Sequence, residues 1–233
     1  MRKSHKQAKI IVSPFFVKNA GIIRYVDNPN DFFRNEEAFS NYPGFDHPLA
    51  WAPIKSKHKP ALVKAIWKSH KDLRGYIGWA KYARSWDVKT VSRFADDHIR
   101  DTPPNEHCLF FIGGEVVGMG SLVSCYTPYD AQIALWVTSG YHGKGIGKKI
   151  VDTLEHIAFR VWGFEQLYYE HDAYNQNSKK LPQKCGFNFS HTFDSKKSAE
   201  RESGFWFSWV KNRPEGLPDG ILQGRAIKDF TNP

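Results

Sequence analysis

Apolar residues recur along this chain at two spacings, and the spacing separates candidate helices from candidate strands. Apolar positions three and four residues apart predict one helix from Pro60 to about Lys71 and a second from about Asp87 to Arg100. The same spacing runs from Ile146 to Trp162, and Gly163 after it suits a helix C-cap. Each of these helices has one apolar face to bury in a core.

Shorter apolar runs predict strands around these helices. The predicted strands are His107–Ile112, Val116–Ser124, Asp130–Val137, Leu167–Asp172, Phe187–Phe193 and Phe205–Val210. Gly113-Gly114 makes a hairpin of the first two. A short strand is predicted within Ile10–Val17, whereas Asn28–Pro53 is aromatic but irregular. The order of helices, hairpin, strand–helix–strand unit and final hairpin predicts a mixed α/β fold.

A glycine-rich turn lies between the strand that ends at Val137 and the helix that begins at Ile146. It reads YHGKGIGKK from Tyr141 to Lys149. Glycines let a backbone come close to a ligand, and the first N–H groups of a helix point at an anion held there. The lysines of the turn add positive charge. The turn is therefore predicted to bind a phosphorylated cofactor.

The spacing of the glycines narrows the choice of cofactor. It fits neither a Walker A loop nor a dinucleotide fingerprint. The stretch from His142 to Gly147 resembles instead the Arg/Gln-x-x-Gly-x-Gly/Ala motif of the GCN5-related N-acetyltransferases (GNAT), with His142 in place of the usual Arg or Gln. In that family the motif binds the pyrophosphate of acetyl-CoA. When the glycine motif is considered alone, the alternative to cofactor binding is a loop that only joins the strand to the helix.

A second segment carries the same resemblance. After the strand Leu167–Asp172 come Asn175, Ser178 and the sequence KCGF, which is similar to the family's Asn-x-x-Ser/Ala…Lys-x-Gly-Phe segment. The resemblance covers about Asn105–Val210 and is closest to the ribosomal-protein N-terminal acetyltransferases. The cofactor-binding residues that it implies are Val137, His142, Gly143, Lys144, Gly145, Ile146, Gly147, Lys148, Asn175 and Ser178.

The resemblance also implies a fold. This is the GNAT acyl-CoA N-acyltransferase fold, a mostly antiparallel twisted sheet with helices on both faces. Its sheet would splay between Ile133–Val137 and Leu167–His171. The CoA arm would enter that gap and bond the freed backbone groups of the first strand. An N–H near Val137 would stabilise the oxyanion.

Glu170 is the candidate general base, because the acceptor ammonium must lose a proton before its nitrogen can attack a thioester. It lies at a position where related N-terminal acetyltransferases carry a catalytic glutamate, although a strand-edge glutamate is the alternative. Many relatives also have Glu on the preceding strand, where this chain has Gln132. Gln132 cannot act as a base but could orient a water. Asp130, on the same face of that strand, is a reserve candidate.

The general acid departs from the family pattern. Relatives use a Tyr in the helix after Asn175, and Pro182 stands there in this chain. Ser178 or a water would then protonate the leaving thiolate, or the thiolate would leave unassisted; Tyr174 is near in sequence but not at the matching position. Pro182 should also shorten or kink that helix. Cys185 is expected to be a buried structural thiol rather than a nucleophile.

Positive charge is concentrated near the N-terminus. Residues 1–75 contain 14 Lys and Arg against 6 Asp and Glu, in a chain whose formal net charge is +9. The basic residues around the first predicted helix are Lys55, Lys57, Lys59, Lys64, Lys68, Lys71 and Arg74. Such a patch could attract nucleic acid or another polyanion. A solvated helix face is an equal alternative.

The chain of 233 residues is divided into an aromatic, basic extension (1–50), an acetyltransferase domain (51–211) and a Pro/Gly-rich C-terminal tail (212–233). Its three cysteines are scattered and it has no H-E-x-x-H, which argues against a disulfide framework or a metal site. No apolar stretch suits a signal peptide or a membrane span. A cytoplasmic monomer or homodimer is expected.

The resemblance implies an N-acetyltransferase that uses acetyl-CoA as cosubstrate and no metal. The acceptor would be a primary amine, such as a protein N-terminus, a lysine, an amino sugar, a polyamine or an aminoacyl group. A non-catalytic acyl-CoA-binding protein is one alternative, because Gln132 and Pro182 stand at two catalytic positions. A nucleic-acid-associated protein is another, although no RNA-binding signature supports it.

Overall fold

A mixed sheet of seven strands runs through the residues that the computed structural model describes, which are 49–80, 86–100, 105–197, 199, 201–217 and 220. The strands are β1 (Leu49–Pro53), β2 (Glu106–Ile112), β3 (Glu115–Ser124), β4 (Asp130–Val137), β5 (Gln166–Asp172), β6 (Asn188–Asp194) and β7 (Phe205–Asn212). The helices are α1 (Lys59–Leu73), α2 (Val88–Arg100), α3 (Ile146–His156) and α4 (Gln176–Lys184).

The strand order is β1-β2-β3-β4-β5-β7-β6. Every neighbouring pair is antiparallel except β4 and β5, which are parallel. A parallel pair needs a crossover, and α3 provides it. The predicted mostly antiparallel α/β fold is therefore confirmed.

β1 corrects part of the prediction, because it lies in the segment expected to be irregular. Leu49–Pro53 pairs with β2, with Leu49 opposite Ile112 and Pro53 opposite Cys108. Five residues that end in proline carry little periodic signal, and the pairing with β2 decides their conformation. The strand predicted at Ile10–Val17 lies outside the described residues.

Two apolar cores lie on opposite faces of the sheet. α1 and α2 cover one face, where Leu62 and Ile66 are fully buried. α3 covers the other face with Ile150 and Leu154. Gly120 on β3 permits this close approach, because a Cβ at that position would lie 2.6 Å from Cγ2 of Ile150. Helices on both faces agree with the fold that the resemblance implied.

The helix predicted to run unbroken to Trp162 changes form at Ile157, where a π-helical turn begins. The N–H of Gly163 donates to the carbonyl of Ala158 (2.8 Å), five residues back. Widening the last turn leaves earlier carbonyls open to other partners. Arg213, just past β7, donates through Nε to the carbonyl of Phe159 (3.1 Å), so the start of the predicted tail packs on the domain.

The pairing of β4 with β5 covers only their first halves. It runs from Asp130 opposite Gln166 to Ile133 opposite Tyr169. β4 then continues to Val137 and β5 continues to Asp172 without further pairing to each other. The two strands therefore diverge, and a gap opens at the centre of the sheet.

Candidate active site

The edge of β4 that faces the gap carries backbone groups directed away from β3. The N–H of Thr138 donates to the carbonyl of Val117 on β3 (2.8 Å). Backbone groups alternate sides along a strand, so those of Leu135 and Val137 point into the gap. The carbonyl of Val137 accepts a hydrogen bond from Nε2 of His142 there (2.9 Å). The remaining groups on this edge suit a ligand with amide groups.

The glycine-rich turn brings the start of α3 to the same gap. Gly143 and Gly145 have φ of +74° and +80°, a conformation that side chains rarely adopt. Gly145 is the N-cap of α3 and provides no side-chain cap. A Cβ on Gly147 would lie 3.3 Å from Leu181, so this glycine lets α3 approach α4. The first N–H groups of α3 are thus presented by a backbone that requires glycine.

The polar side chains of the turn already have partners within the protein. Lys148 forms an ion pair with Asp152 (2.7 Å), and that hydrogen bond raises the pKa of Lys148. Nζ of Lys144 lies 5.8 Å from the centre of the Tyr141 ring. Because His142 donates to Val137, its Nε2 is not directed at a phosphate in this arrangement. Backbone groups, more than these side chains, are therefore available to an anion at this turn.

Asn175 and Ser178 lie at the start of α4, on the other side of the gap. Oδ1 of Asn175 accepts a hydrogen bond from the N–H of Ser178 (3.1 Å) and caps the helix. Burial raises the pKa of the Tyr169 phenol on β5, and a hydrogen bond with the Ser178 side chain opposes that rise. Pro182 does not end α4, which continues to Lys184. Pro182, which was expected to shorten or kink the helix, lies in its last turn, two residues before its end.

A cavity of about 370 Å³ opens where β4 and β5 diverge. It is bounded by the loop after α1, by α2, by the diverging ends of β4 and β5, and by the loop between β6 and β7. Its polar and aromatic lining includes Trp79, His98, Gln132, Glu170, Asp172, Asn175, Ser178, Glu202 and Trp206. The cavity thus joins Glu170 to the predicted cofactor-binding residues of α4.

Glu170 is held by neutral hydrogen-bond donors from three directions. Its Oε1 accepts from the hydroxyls of Tyr126 (2.6 Å) and Ser208 (3.3 Å), and its Oε2 accepts from Nε2 of Gln132 (2.9 Å). Together these donors hold the carboxylate in one orientation. Gln132, considered from the sequence as a substitute for a second glutamate, instead orients the candidate base.

The loop between β6 and β7 closes the cavity opposite Glu170. The N–H of Arg201 donates to the carbonyl of Gly75, in the loop after α1 (2.8 Å). The N–H of Ser203 donates to Asp172 at the end of β5 (2.8 Å). Glu202 is only 5% exposed and accepts a hydrogen bond from the N–H of Ala199 (2.8 Å). The contacts with Gly75 and Asp172 fix this loop over the cavity.

The remaining candidates lie away from the cavity lining. Asp130 is buried at the start of β4, and Tyr174 is exposed after β5. Cys185 is buried, as expected, and burial raises its pKa to about 11. The residues of the glycine-rich turn, from His142 to Lys148, contact the gap from the α3 side rather than lining the cavity. The site therefore has two sides.

Sequence reasoning missed Tyr126, Ser208 and Tyr169. Tyr126 lies in the turn between β3 and β4, and its contact with Glu170 spans 44 residues of sequence. Ser208 is a small polar residue within the aromatic run of β7. No local pattern marks either position. Neighbouring residues of a strand face opposite sides, so the sequence of β5 could have predicted that Tyr169 and Glu170 lie on different faces of the sheet.

The basic helix α1 is partly neutralised by acidic neighbours. Lys59 pairs with Asp96 (2.8 Å). Glu115 lies within 3.3 Å of Nζ of Lys64 and within 3.7 Å of Nζ of Lys68. These pairs reduce the charge that the helix presents to a polyanion.

Within the described residues, no group of three or more His, Cys, Asp or Glu is arranged to hold a metal ion. A helix with the length and apolar character of a membrane span is absent from the same part of the chain.

The acetyltransferase (GNAT) family model matches residues 76–187. That stretch contains the splayed strands, the glycine-rich turn and the start of α4. This stretch of the chain matches the GNAT family, as the sequence resemblance predicted. No protein of curated function matches the sequence.

Solved acetyltransferases share the fold at low sequence identity. RimL, a ribosomal L7/L12 alpha-N-protein acetyltransferase solved with coenzyme A, is 16% identical with a TM-score of 0.64, over 73% of this chain and 97% of RimL. The microcin C7 self-immunity acetyltransferase MccE, solved with acetyl-CoA and AMP, is 14% identical with a TM-score of 0.63, over 72% and 93%. RimJ of Mycobacterium smegmatis is 15% identical with a TM-score of 0.62, over 76% and 87%. The ribosomal-protein branch named by the resemblance is thus among the structural neighbours.

Proposed function

We propose that this protein transfers an acetyl group from acetyl-CoA to a primary amine, with Glu170 as the general base. The observation that carries the proposal is the gap between β4 and β5, which has a glycine-rich helix start on one side and a hydrogen-bonded glutamate on the other. This arrangement can hold a thioester and an amine close together, which accounts for much of the catalysis of acyl transfer.

Acetyl-CoA enters from the α3 side in this proposal. Its pyrophosphate lies on the N–H groups that follow Gly145, and its pantetheine arm follows the backbone of Leu135 and Val137. Asn175 and Ser178 contact the arm from α4. The family match supports this cofactor, and so do the neighbours that were solved with coenzyme A or acetyl-CoA.

The acceptor enters through the cavity, from the α1 and α2 side. Glu170 takes a proton from its ammonium, directly or through a water, and the free amine attacks the thioester carbon. The N–H of Val137 points into the gap and suits the developing oxyanion. Ser178, which bonds Tyr169, is the side chain on the α4 side that can deliver a proton to the leaving thiolate.

The lining of the cavity favours a cationic amine. Glu170, Asp172 and Glu202 contribute carboxylates, and no Lys or Arg is present among the described lining residues. Trp79 and Trp206 add aromatic faces that attract an ammonium group. A protein N-terminus, a lysine or a small amine fits these features. The ribosomal-protein neighbours favour a protein N-terminus among them.

A turnover assay tests the proposal. Free CoA release is measured with acetyl-CoA and a panel of acceptors: peptides that begin with serine or alanine, a peptide with an internal lysine, and spermidine. We expect at least one to be acetylated by the wild type and not by Glu170→Gln. If the wild type binds acetyl-CoA but acetylates none of a broad amine panel, the protein is a non-catalytic acyl-CoA-binding module.

The nucleic-acid alternative has less support. Within the described residues, Lys59, Lys64 and Lys68 of α1 lie beside acidic partners, which reduces the charge available to a polyanion. Binding to RNA that weakens steeply with salt would favour this alternative.

A further inference from the structure

Tyr126 makes the shortest hydrogen bond to the candidate base and has no role in the fold core. Its hydroxyl donates to Oε1 of Glu170 at 2.6 Å. The side chain is 62% exposed and lies in the turn between β3 and β4. Its ring meets the ring of Tyr168 edge to face, with centroids 4.8 Å apart. An exposed aromatic residue directed at a functional carboxylate is poorly explained by packing alone.

The hydrogen bond changes the chemistry of both groups. A phenol that donates to a carboxylate is harder to ionise, and this bond is the main cause that raises the pKa of Tyr126. The same bond fixes the direction of the Glu170 carboxylate. Ser208 and Gln132 also donate to Glu170, but at 3.3 and 2.9 Å, and Tyr126 is the donor on its exposed side.

We propose that Tyr126 is a positioning residue that keeps the Glu170 carboxylate directed at the cavity. The inference rests on the proposed function, in which Glu170 removes a proton from the acceptor. When Glu170 accepts that proton, its bond from Tyr126 weakens, so the proton is readily passed on to water. Tyr126 itself stays protonated throughout.

Other titratable groups near Glu170 must be considered in any test that varies pH. They are Cys125 in the same turn, Asp130 on β4, Tyr168 and Asp172 on β5, His98 on α2 and Glu202 in the β6–β7 loop. Asp172 and Glu202 each accept hydrogen bonds from backbone N–H groups. Among the described residues, the shortest hydrogen bond to Glu170 comes from Tyr126 and from none of these groups, so removal of the Tyr126 hydroxyl should change Glu170 specifically.

The test compares Tyr126→Phe with Tyr168→Phe. Tyr168 offers a matched control, because its hydroxyl donates to Gln166 (2.7 Å) rather than to Glu170. The side-chain carboxyl carbon of Glu170 is observed by NMR at neutral pH, with its signal assigned through Glu170→Gln. We expect Tyr126→Phe to shift this signal, because the carboxylate loses its shortest hydrogen bond. Tyr168→Phe should leave it in place. A Glu170 signal that stays in place in Tyr126→Phe, or that shifts equally in both variants, overturns the proposal.

The separate values of kcat and of the KM for acetyl-CoA supply the functional readout, with a peptide that begins with serine as acceptor. Tyr126→Phe should lower kcat by about 2–10-fold and leave the KM for acetyl-CoA unchanged, because one hydrogen bond that positions the base is lost. An unchanged kcat while the NMR signal shifts rejects the positioning role. If the wild type has no activity with any amine, the proposed function fails, and the NMR signal still decides whether Tyr126 positions Glu170.

Discussion

The two sides of the central gap are formed by different chemical groups, backbone on one side and side chains on the other. The proposed cofactor side, which comprises the end of β4, the glycine-rich turn and the starts of α3 and α4, uses backbone groups held by glycine conformations and a helix cap. The proposed acceptor side uses side chains from α2, from four strands and from three loops. A cofactor shared between relatives such as RimL and MccE can be held by the backbone. An acceptor that differs between relatives must be selected by side chains.

This comparison is tested most strongly by removing the base. Glu170→Gln should lower kcat by about 10²–10⁴-fold, because general-base catalysis is lost. Acetyl-CoA affinity should stay the same, since Glu170 lies on the acceptor side. Turnover assays and isothermal titration separate the two effects.

Glu165→Gln is a suitable control for that variant, because Glu165 is exposed just before β5. Equal losses in both variants, or a matching loss of acetyl-CoA affinity in Glu170→Gln, would contradict the separation of the two sides.

A change on the cofactor side should have the converse effect. Gly145→Glu places a negative charge at the helix start, where the pyrophosphate is proposed to bind, and should weaken acetyl-CoA binding by about 100-fold. Gly145→Asn is the matched control, because asparagine tolerates the positive φ of +80° without adding charge. If both variants bind acetyl-CoA like the wild type, the cofactor does not use this turn.

Acid should also lower the stability of the protein through a histidine at the start of α1. His58, at the start of α1, is 3% exposed, and its buried Nε2 has no hydrogen-bond partner within the described residues. Burial, with smaller contributions from Lys57 and Lys55, lowers its pKa to about 4. The unfolded chain therefore binds more protons between pH 6.5 and 4. Stability should fall by roughly 2–3 kcal/mol as the pH drops through that window.

Thermal unfolding of His58→Gln measures this effect, and the variant should lose part of the acid sensitivity of the wild type. His191→Gln, an exposed histidine on β6, should retain it. Identical pH profiles for the wild type and His58→Gln would show that other groups control acid stability.

The smallest expected effect concerns the cap of α4. Asn175→Ala removes the side chain that accepts from the N–H of Ser178 and should cost about 1 kcal/mol of unfolding free energy. Asn177→Ala, at an exposed position inside α4, should be neutral or slightly stabilising. Chemical denaturation compares the two. Equal stabilities would mean that Asn175 matters for the cofactor alone.

The same contrast explains how far the sequence could be interpreted. Glycines at fixed spacing before an amphipathic helix are a local signal, so the turn, the family and the sheet were predictable. The partners of Glu170 were not, since Tyr126 and Ser208 reach it across 44 and 38 residues of sequence. β1 was missed because its five residues become a strand only by pairing with β2.

Hydrogen–deuterium exchange with and without acetyl-CoA tests the central claim most directly. The cofactor should slow exchange of the amides in Leu135–Val137 and in the turn from Gly143 to Lys148, and leave the loop that contains Glu202 unchanged. Protection confined to α1 or to the β6–β7 loop, or no protection in a folded protein, would contradict the division of the gap into a cofactor side and an acceptor side.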